Sequence, residues 1–322
     1  MIRETEDEMS FQSKLVRDLI ARATGDYLIG RKIQNGELRR KLIEPAWKCP
    51  DEYQVEQIQM PLFQMEYLMP KEHANMERVV LQLHGGGYVG TMINVHRSFA
   101  VLYSQAAGNT CVLTIDYRVA PENPFPAALE DAQTAYEWLL AKGFRPEQIF
   151  LGGDSAGGGL AMALCHKLKD EAKSLPGGIV AMSPWTDMTA GGPSYEEKYE
   201  IDPLFGNTKE SLIYCTDYRR EENPENPYLS PLFGDFTGFP PMLIQVGTHE
   251  MLLSDSQLVA QKAHRQGVKV RLSEYEGMFH VFQMGLQLLP ESRKAWKEVE
   301  HFFMQFEQEH ISYPIASHHP ER

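Results

Sequence analysis

The stretch IFLGGDSAGGGLAMALCHKLKD, residues 149–170, puts an apolar run, a glycine cluster around one serine, and a helix-forming run in direct succession. IFLGGD has the length and character of a buried strand, and the Ala-, Met- and Leu-rich segment from 156 onward reads as a helix. Ser155 therefore stands where a strand turns abruptly into a helix, within Gly153-Asp154-Ser155-Ala156-Gly157, a G-x-S-x-G pattern. Such a turn strains the backbone of its central residue and crowds the positions two before and two after it. Glycine at 153 and 157 removes the side chains that would collide. The Ser155 hydroxyl is left projecting over a helix N-terminus with unpaired N–H groups and partial positive charge. A phosphate-binding loop is the competing reading. It fails because no Gly-Lys-Ser/Thr ending follows and Asp154 would repel a phosphate.

An alcohol becomes a nucleophile near neutral pH when a base takes its proton and a carboxylate orients that base. N–H donors must also receive the oxyanion that forms. LQLHGGGY, residues 81–88, is an apolar strand ending in His84 and three glycines, which let backbone N–H groups approach a substrate unobstructed. The expected donors are the amides of Gly86, Gly87 and Ala156, with His84 ordering the loop. His280, in EYEGMFHVF (274–282), follows the last expected strand in a loop opened by Gly277, which suits the base in the chain order Ser, acid, His. His73, His96, His166 and His264 have helix or loop contexts and read as surface or packing residues. The acid lies between, in IQVGTHEMLLSDS (244–256). Glu250, three residues past Gly247 at a strand end, is preferred. Asp255 is the alternative, expected to cap the following helix or face solvent.

Around these segments, strand and helix patterns alternate. Strands are expected at 53–60, 62–69, 78–84, 111–117, 149–154, 178–183, 242–247 and 268–275, and helices near 97–107, 127–142, 156–170, 254–266 and 291–308. This alternation predicts a mostly parallel sheet with helices on both faces, an α/β fold. Residues 188–231 break the rhythm with Gly, Pro and acidic residues around one helical stretch, TKESLIYCTDYRR, and an insertion of this length suits a lid. Residues 9–44 show helical spacing. Met9, Phe11, Leu15, Leu19 and Ile20 form one apolar face, and Ile33, Leu38 and Leu42 continue it less regularly.

The 322 residues are 43% hydrophobic and 23% charged, an ordinary globular balance with enough apolar material to shape a pocket. The net charge of −13 argues against nucleic acid or anionic lipid as partners. Cys49, Cys111, Cys165 and Cys215 stand far apart with no metal-binding spacing, so no metal is expected and a reducing compartment is. No apolar leader opens the sequence and no stretch of 18 apolar residues occurs, so a soluble, cytoplasmic protein without a membrane partner is expected.

Together HGGGY (84–88), DYRVAPENPFPAALED (116–131), GDSAGGG (153–159), SPWTD (183–187) and YLSPLF (228–233) resemble the hormone-sensitive lipase family of α/β-hydrolases, in particular its microbial esterases. The likeness runs from about 79 to 282. It implies an α/β-hydrolase fold, with an eight-stranded, mostly parallel sheet under a helical cap. On that reading 1–50 supplies N-terminal cap helices and 51–187 the first part of the core. A cap insertion at 188–228, the second part of the core at 229–312 and a loose tail at 313–322 complete the chain. The family usually has Asp-Pro-Leu where this chain has Glu250-Met251-Leu252. The implied activity is hydrolysis of short- to medium-chain carboxylic esters, with no cofactor, by Ser155, Glu250 and His280. Tyr88, Leu204 and Phe205 are candidate pocket residues, and Tyr195, Leu212, Ile213 and Tyr214 belong to the same apolar lid. Asp154 is expected to support the turn through hydrogen bonds, and Arg118, Glu122 and Asp131 to pair beneath the site. A small-molecule ester is the expected partner, and a homodimer through the final strand and helix is implied. A lactonase, deacetylase or amidase with the same triad is the first alternative, and a non-catalytic ligand-binding protein the second.

Overall fold

The computed structural model describes residues 1–5, 9–24, 44–207 and 211–311. The core is a single sheet in which the strands Tyr53–Gln59 (β2), Gln64–Pro70 (β3), Asn75–Leu83 (β4), Thr110–Asp116 (β5), Ile149–Asp154 (β6), Gly178–Met182 (β7), Met242–Gly247 (β8) and Val270–Tyr275 (β9) are the eight expected ones. A ninth, Ile2–Thr5 (β1), pairs parallel to the outer edge of β9, giving the order β1-β9-β8-β7-β6-β4-β5-β3-β2. The extreme N-terminus, assigned above to cap helices, is thus a sheet edge. A strand can pair there because β9 otherwise presents an open row of N–H and C=O groups. The β2–β3 and β3–β5 pairs are antiparallel and the rest parallel.

The central strands are apolar on both faces because helices cover both. On β4, Val79, Leu81 and Leu83 join one apolar cluster and Val80 the other, the two-residue alternation of an extended chain. The first cluster holds residues of the helices Ala127–Ala141 (α3) and Ala156–Asp170 (α4), such as Leu129 and Leu160. The second holds Phe99 of Asn94–Ala106 (α2) and Trp296 of Pro290–Ile311 (α7). Cys111 and Cys165 lie buried in the core, and none of the four cysteines forms a disulfide. Among the described residues no helix is long and apolar enough to cross a membrane.

Two further expectations are corrected. The helix Phe11–Thr24 (α1) does not roof a site with Phe11, Leu15 and Leu19, whose side chains are 80%, 53% and 54% exposed. Its rotation is set by Glu291, which accepts bonds from the Ser10 N–H and from the Ser10 and Ser13 hydroxyls. Ser13, Val16 and Ile20 share one face at helical spacing, so that face turns inward and Val16 and Ile20 join Met9 against Tyr275 and Phe279. Ile33, Leu38 and Leu42 and the tail at 313–322 lie outside the described residues. In the insertion, TKESLIYCTDYRR holds only a 3₁₀ turn, Leu212–Tyr214, among the described residues, and the one α-helical turn is Ser194–Glu197 (α5). Thr216 and Asp217 favour turns over helix interiors, and side chains such as Asp187 and Asn226 cap the loop backbone instead.

Candidate active site

The chain leaves β4 toward β5 on one side of the sheet and continues from β6 on the other, so the β4–β6 pair is a topological switch point. Ligands of open α/β sheets bind outside the carboxyl ends of the strands at such a point. The His84 loop ends β4, Ser155 follows β6, Ser183 follows β7, Glu250 follows β8 and His280 follows β9. Parallel strands lie about 4.8 Å apart, so their carboxyl ends form one short row of loops.

Ser155 has φ 52° and ψ −121°, the strained geometry expected of the elbow. Three backbone bonds hold it there: its N–H to the Met182 carbonyl at 2.8 Å, and its carbonyl from Trp185 at 2.9 Å and Gly159 at 3.2 Å. A Cβ on Gly157 would stand 2.0 Å from the Leu83 carbonyl oxygen, and one on Gly153 2.4 Å from that of Gly157. The two glycines are thus what lets helix, strand and oxyanion loop approach.

Ser155 Oγ lies 2.9 Å from His280 Nε2, and His280 Nδ1 lies 2.9 Å from Glu250 Oε2. All three side chains are buried. Glu250 Oε1 accepts from the Ser183 hydroxyl at 2.7 Å and the Gly247 N–H at 2.6 Å. Ser183 also accepts the N–H of Val281 at 3.1 Å, so one hydroxyl spans the acid loop and the base loop. Further bonds lace those loops: Thr248 N–H to Tyr275 O at 3.0 Å and His249 N–H to Met278 O at 2.9 Å. Asp255, by contrast, neither meets the imidazole nor faces solvent. It is buried, and its Oδ2 takes the N–H groups of Thr186 at 2.7 Å and Asp187 at 2.8 Å. Its position in the first turn of the helix Leu253–Arg265 (α6) aims it at the SPWTD loop rather than at His280.

Gly86, Gly87 and Tyr88 form a run of positive φ (116°, 60° and 60°). Among the described residues the amides of Gly86, Gly87 and Ala156 have no hydrogen-bond acceptor. His84 orders this loop, its Nδ1 2.7 Å from the Gly85 carbonyl and its ring stacked on Tyr117 at 4.1 Å. Tyr88 is fully buried and stacks at 4.0 Å on Tyr218 of the insertion. Phe205, also buried, places its ring 4.7 Å from that of His280, and Leu204 is half-buried beside it. Arg118 bridges Asp131 at 2.8 Å and Glu130 at 3.1 Å.

Asp154 departs from expectation. Its carboxylate is buried, and neither oxygen has a hydrogen-bond partner among the described residues. His96 Nε2 stands 4.0 Å from Oδ2, and that oxygen occupies the space a side chain at Gly85 would need. Burial pushes the carboxyl up to about 7 and holds His96 well below its ordinary value, so each is driven toward its neutral form.

A hydroxyl, an imidazole in contact with it, a buried carboxylate behind the imidazole and backbone amides without an acceptor form an arrangement that can carry acyl transfer. A family model described as the alpha/beta hydrolase fold matches residues 80–284. This chain is an α/β-hydrolase of the hormone-sensitive lipase type. An acetyl-hydrolase of Streptomyces hygroscopicus is 40% identical over 218 residues, covering 68% of this chain and 72% of the relative. An esterase of Acinetobacter venetianus is 35% identical over 240 residues, covering 72% and 76%. Among solved structures, an esterase from the bacterial hormone-sensitive lipase family superposes with a TM-score of 0.80 at 33% identity, covering 93% of this chain and 99% of that one. EstE5 soaked with p-nitrophenyl butyrate gives 0.81 at 34% identity, covering 92% and 98%.

Nothing in the sequence around Ser183 signals its two bonds, which only the fold brings about. Asp202 carries no signal in the sequence beyond a proline after it.

Proposed function

We propose that this carboxylic ester hydrolase works through a covalent acyl-serine, with Ser155 as nucleophile, His280 as base and Glu250 as acid. The observation that carries the reading is the unbroken line from Ser155 Oγ through both imidazole nitrogens to the Glu250 carboxylate, each step 2.9 Å. Ser155 Oγ attacks the ester carbonyl while His280 Nε2 takes its proton. The carbonyl oxygen becomes an oxyanion, received by the amides of Gly86, Gly87 and Ala156. The tetrahedral species collapses, the bond to the alcohol oxygen breaks, and His280 returns its proton to the leaving alcohol. Water then repeats the sequence on the acyl-serine, releasing the acid and the free enzyme. Glu250 keeps its charge throughout, holding Nδ1 protonated and stabilising the imidazolium.

The insertion at 188–228 is read as the cap over this site, with Leu204 and Phe205 bounding the acyl side. A Phe205 ring at 4.7 Å from the imidazole supports a short to medium acyl group rather than a long one. The name of the Streptomyces relative, an acetyl-hydrolase, favours the small end of that range and keeps a deacetylase in view. Four cysteines, none in a disulfide, support a reducing, cytoplasmic setting.

The test is turnover of p-nitrophenyl acetate, butyrate and octanoate beside matched anilides, with Ser155→Ala as control. Expected are turnover of the two shorter esters, little of the octanoate or anilides, a mass adduct of a small organophosphonate on Ser155, and none of this in Ser155→Ala. Full activity in Ser155→Ala would refute the serine mechanism, and anilides turned over as well as esters would move the reading to an amidase.

A further inference from the structure

The peptide of Met251, the residue after Glu250, is gripped at both ends by the insertion. Its N–H donates to Asp202 Oδ2 at 2.7 Å, and its carbonyl accepts from Ser194 Oγ at 2.6 Å. The other Asp202 oxygen accepts the N–H groups of Leu204 at 2.8 Å and Phe205 at 2.9 Å, and Phe205 is the ring packed on His280. A residue that only capped its own turn would need just the Leu204 and Phe205 bonds. The third bond reaches a residue 49 positions away along the chain.

Asp202 is 3% exposed, and its three hydrogen-bond donors are backbone N–H groups. Burial pushes its carboxyl up to about 6, against which the three N–H groups and the nearby His280 pull. A buried carboxylate held by backbone amides alone is costly to keep unless its geometry serves something. Here its two oxygens serve two elements of one site: Oδ2 the loop that carries the acid, Oδ1 the turn that carries the ring on the base.

We propose that Asp202 is a positioning residue of the triad: it ties the insertion to the acid loop, sets Glu250 behind His280 and seats Phe205 against the imidazole. The inference rests on the roles assigned above to Ser155, His280 and Glu250. The insertion is then part of the catalytic frame as well as a cover over it.

Asp202→Asn tests this with little change of shape. Its carbonyl oxygen can keep Leu204 and Phe205, but its NH₂ then faces the Met251 N–H. On p-nitrophenyl acetate kcat should fall roughly tenfold while KM moves less than about threefold. In a Glu250→Gln background the same substitution should cost less than about twofold, because the group it acts through is already gone. Ser194→Ala, which frees the Met251 carbonyl, should show the same dependence on background and decides the matter if Asp202→Asn does not fold. A kcat for Asp202→Asn within about twofold of the parent, or a loss as large in Glu250→Gln as in the parent, would overturn the proposal. Ser155→Ala separates the two readings. If it keeps turnover, the triad fails; if it is inactive while Asp202→Asn matches the parent, only the positioning role fails.

Discussion

Asp154→Asn should stabilise this protein more as pH rises. The Asp154 carboxyl is buried without a hydrogen-bond partner and moves from an ordinary 3.8 to about 7. The folded state therefore holds a proton that the unfolded state has released over that whole interval. Where the folded state binds more protons, stability falls as pH rises. At one pKa unit per 1.36 kcal/mol, charging Asp154 costs the fold about 2 kcal/mol at about pH 5 and about 4 kcal/mol at about pH 8. Asparagine has the same shape and no charge to bury, so Asp154→Asn escapes a cost that grows by about 2 kcal/mol across that range. The assay is urea or thermal unfolding of parent and variant at both pH values. Every other titrating group is common to the two proteins, so the change in their difference isolates position 154. At roughly 2 °C per kcal/mol for a chain of this size, the gap in Tm should widen by about 4 °C between about pH 5 and about pH 8. A gap that stays constant within about 1 °C would show that Asp154 does not titrate differently on folding, and the argument from burial would be wrong.

Glu250→Gln should lower kcat by about 10²–10⁴ at nearly unchanged KM, whereas Asp255→Asn should lower Tm and leave kcat within severalfold; kinetics and melting of the pair check both, and the reverse pattern would reassign the acid. Ser183→Ala removes the donor to Glu250 Oε1 and the acceptor for the Val281 N–H, so kcat should drop about tenfold with KM held, measured on the acetate ester. Gly157→Ala puts a methyl 2.0 Å from the Leu83 carbonyl oxygen, and a loss of at least about 3 kcal/mol is expected by urea titration; a stable, active variant would refute the close-approach account of that glycine.

Local pattern was enough for the parts of this protein whose geometry is local. The apolar run, the glycines at 153 and 157 and the helix after Ser155 determine the elbow, because backbone strain and steric room are settled within a few residues. The same holds for the glycine loop after β4 and for the strand–helix alternation that makes the sheet. His280 was legible because chain order restricts which loop can face the elbow. Contacts between residues far apart in sequence were another matter. Glu250 and Asp255 are five residues apart and chemically alike, and the start of α6 between them sends one to the imidazole and the other to the amides of Thr186 and Asp187. The rotation of α1 depends on Glu291, some 280 residues away, so its apolar spacing alone could not say which face is buried. The pairing of β1 with β9, the isolation of the Asp154 carboxylate and the grip of Asp202 on Met251 likewise arise only when strand order and loop register bring distant segments within hydrogen-bond reach. In this chain the sequence determined which backbone turns exist and which chemistry they can hold. Tertiary packing decided which side chains meet there, because the energy of those meetings comes from desolvation and contact across strands rather than from neighbours in the chain.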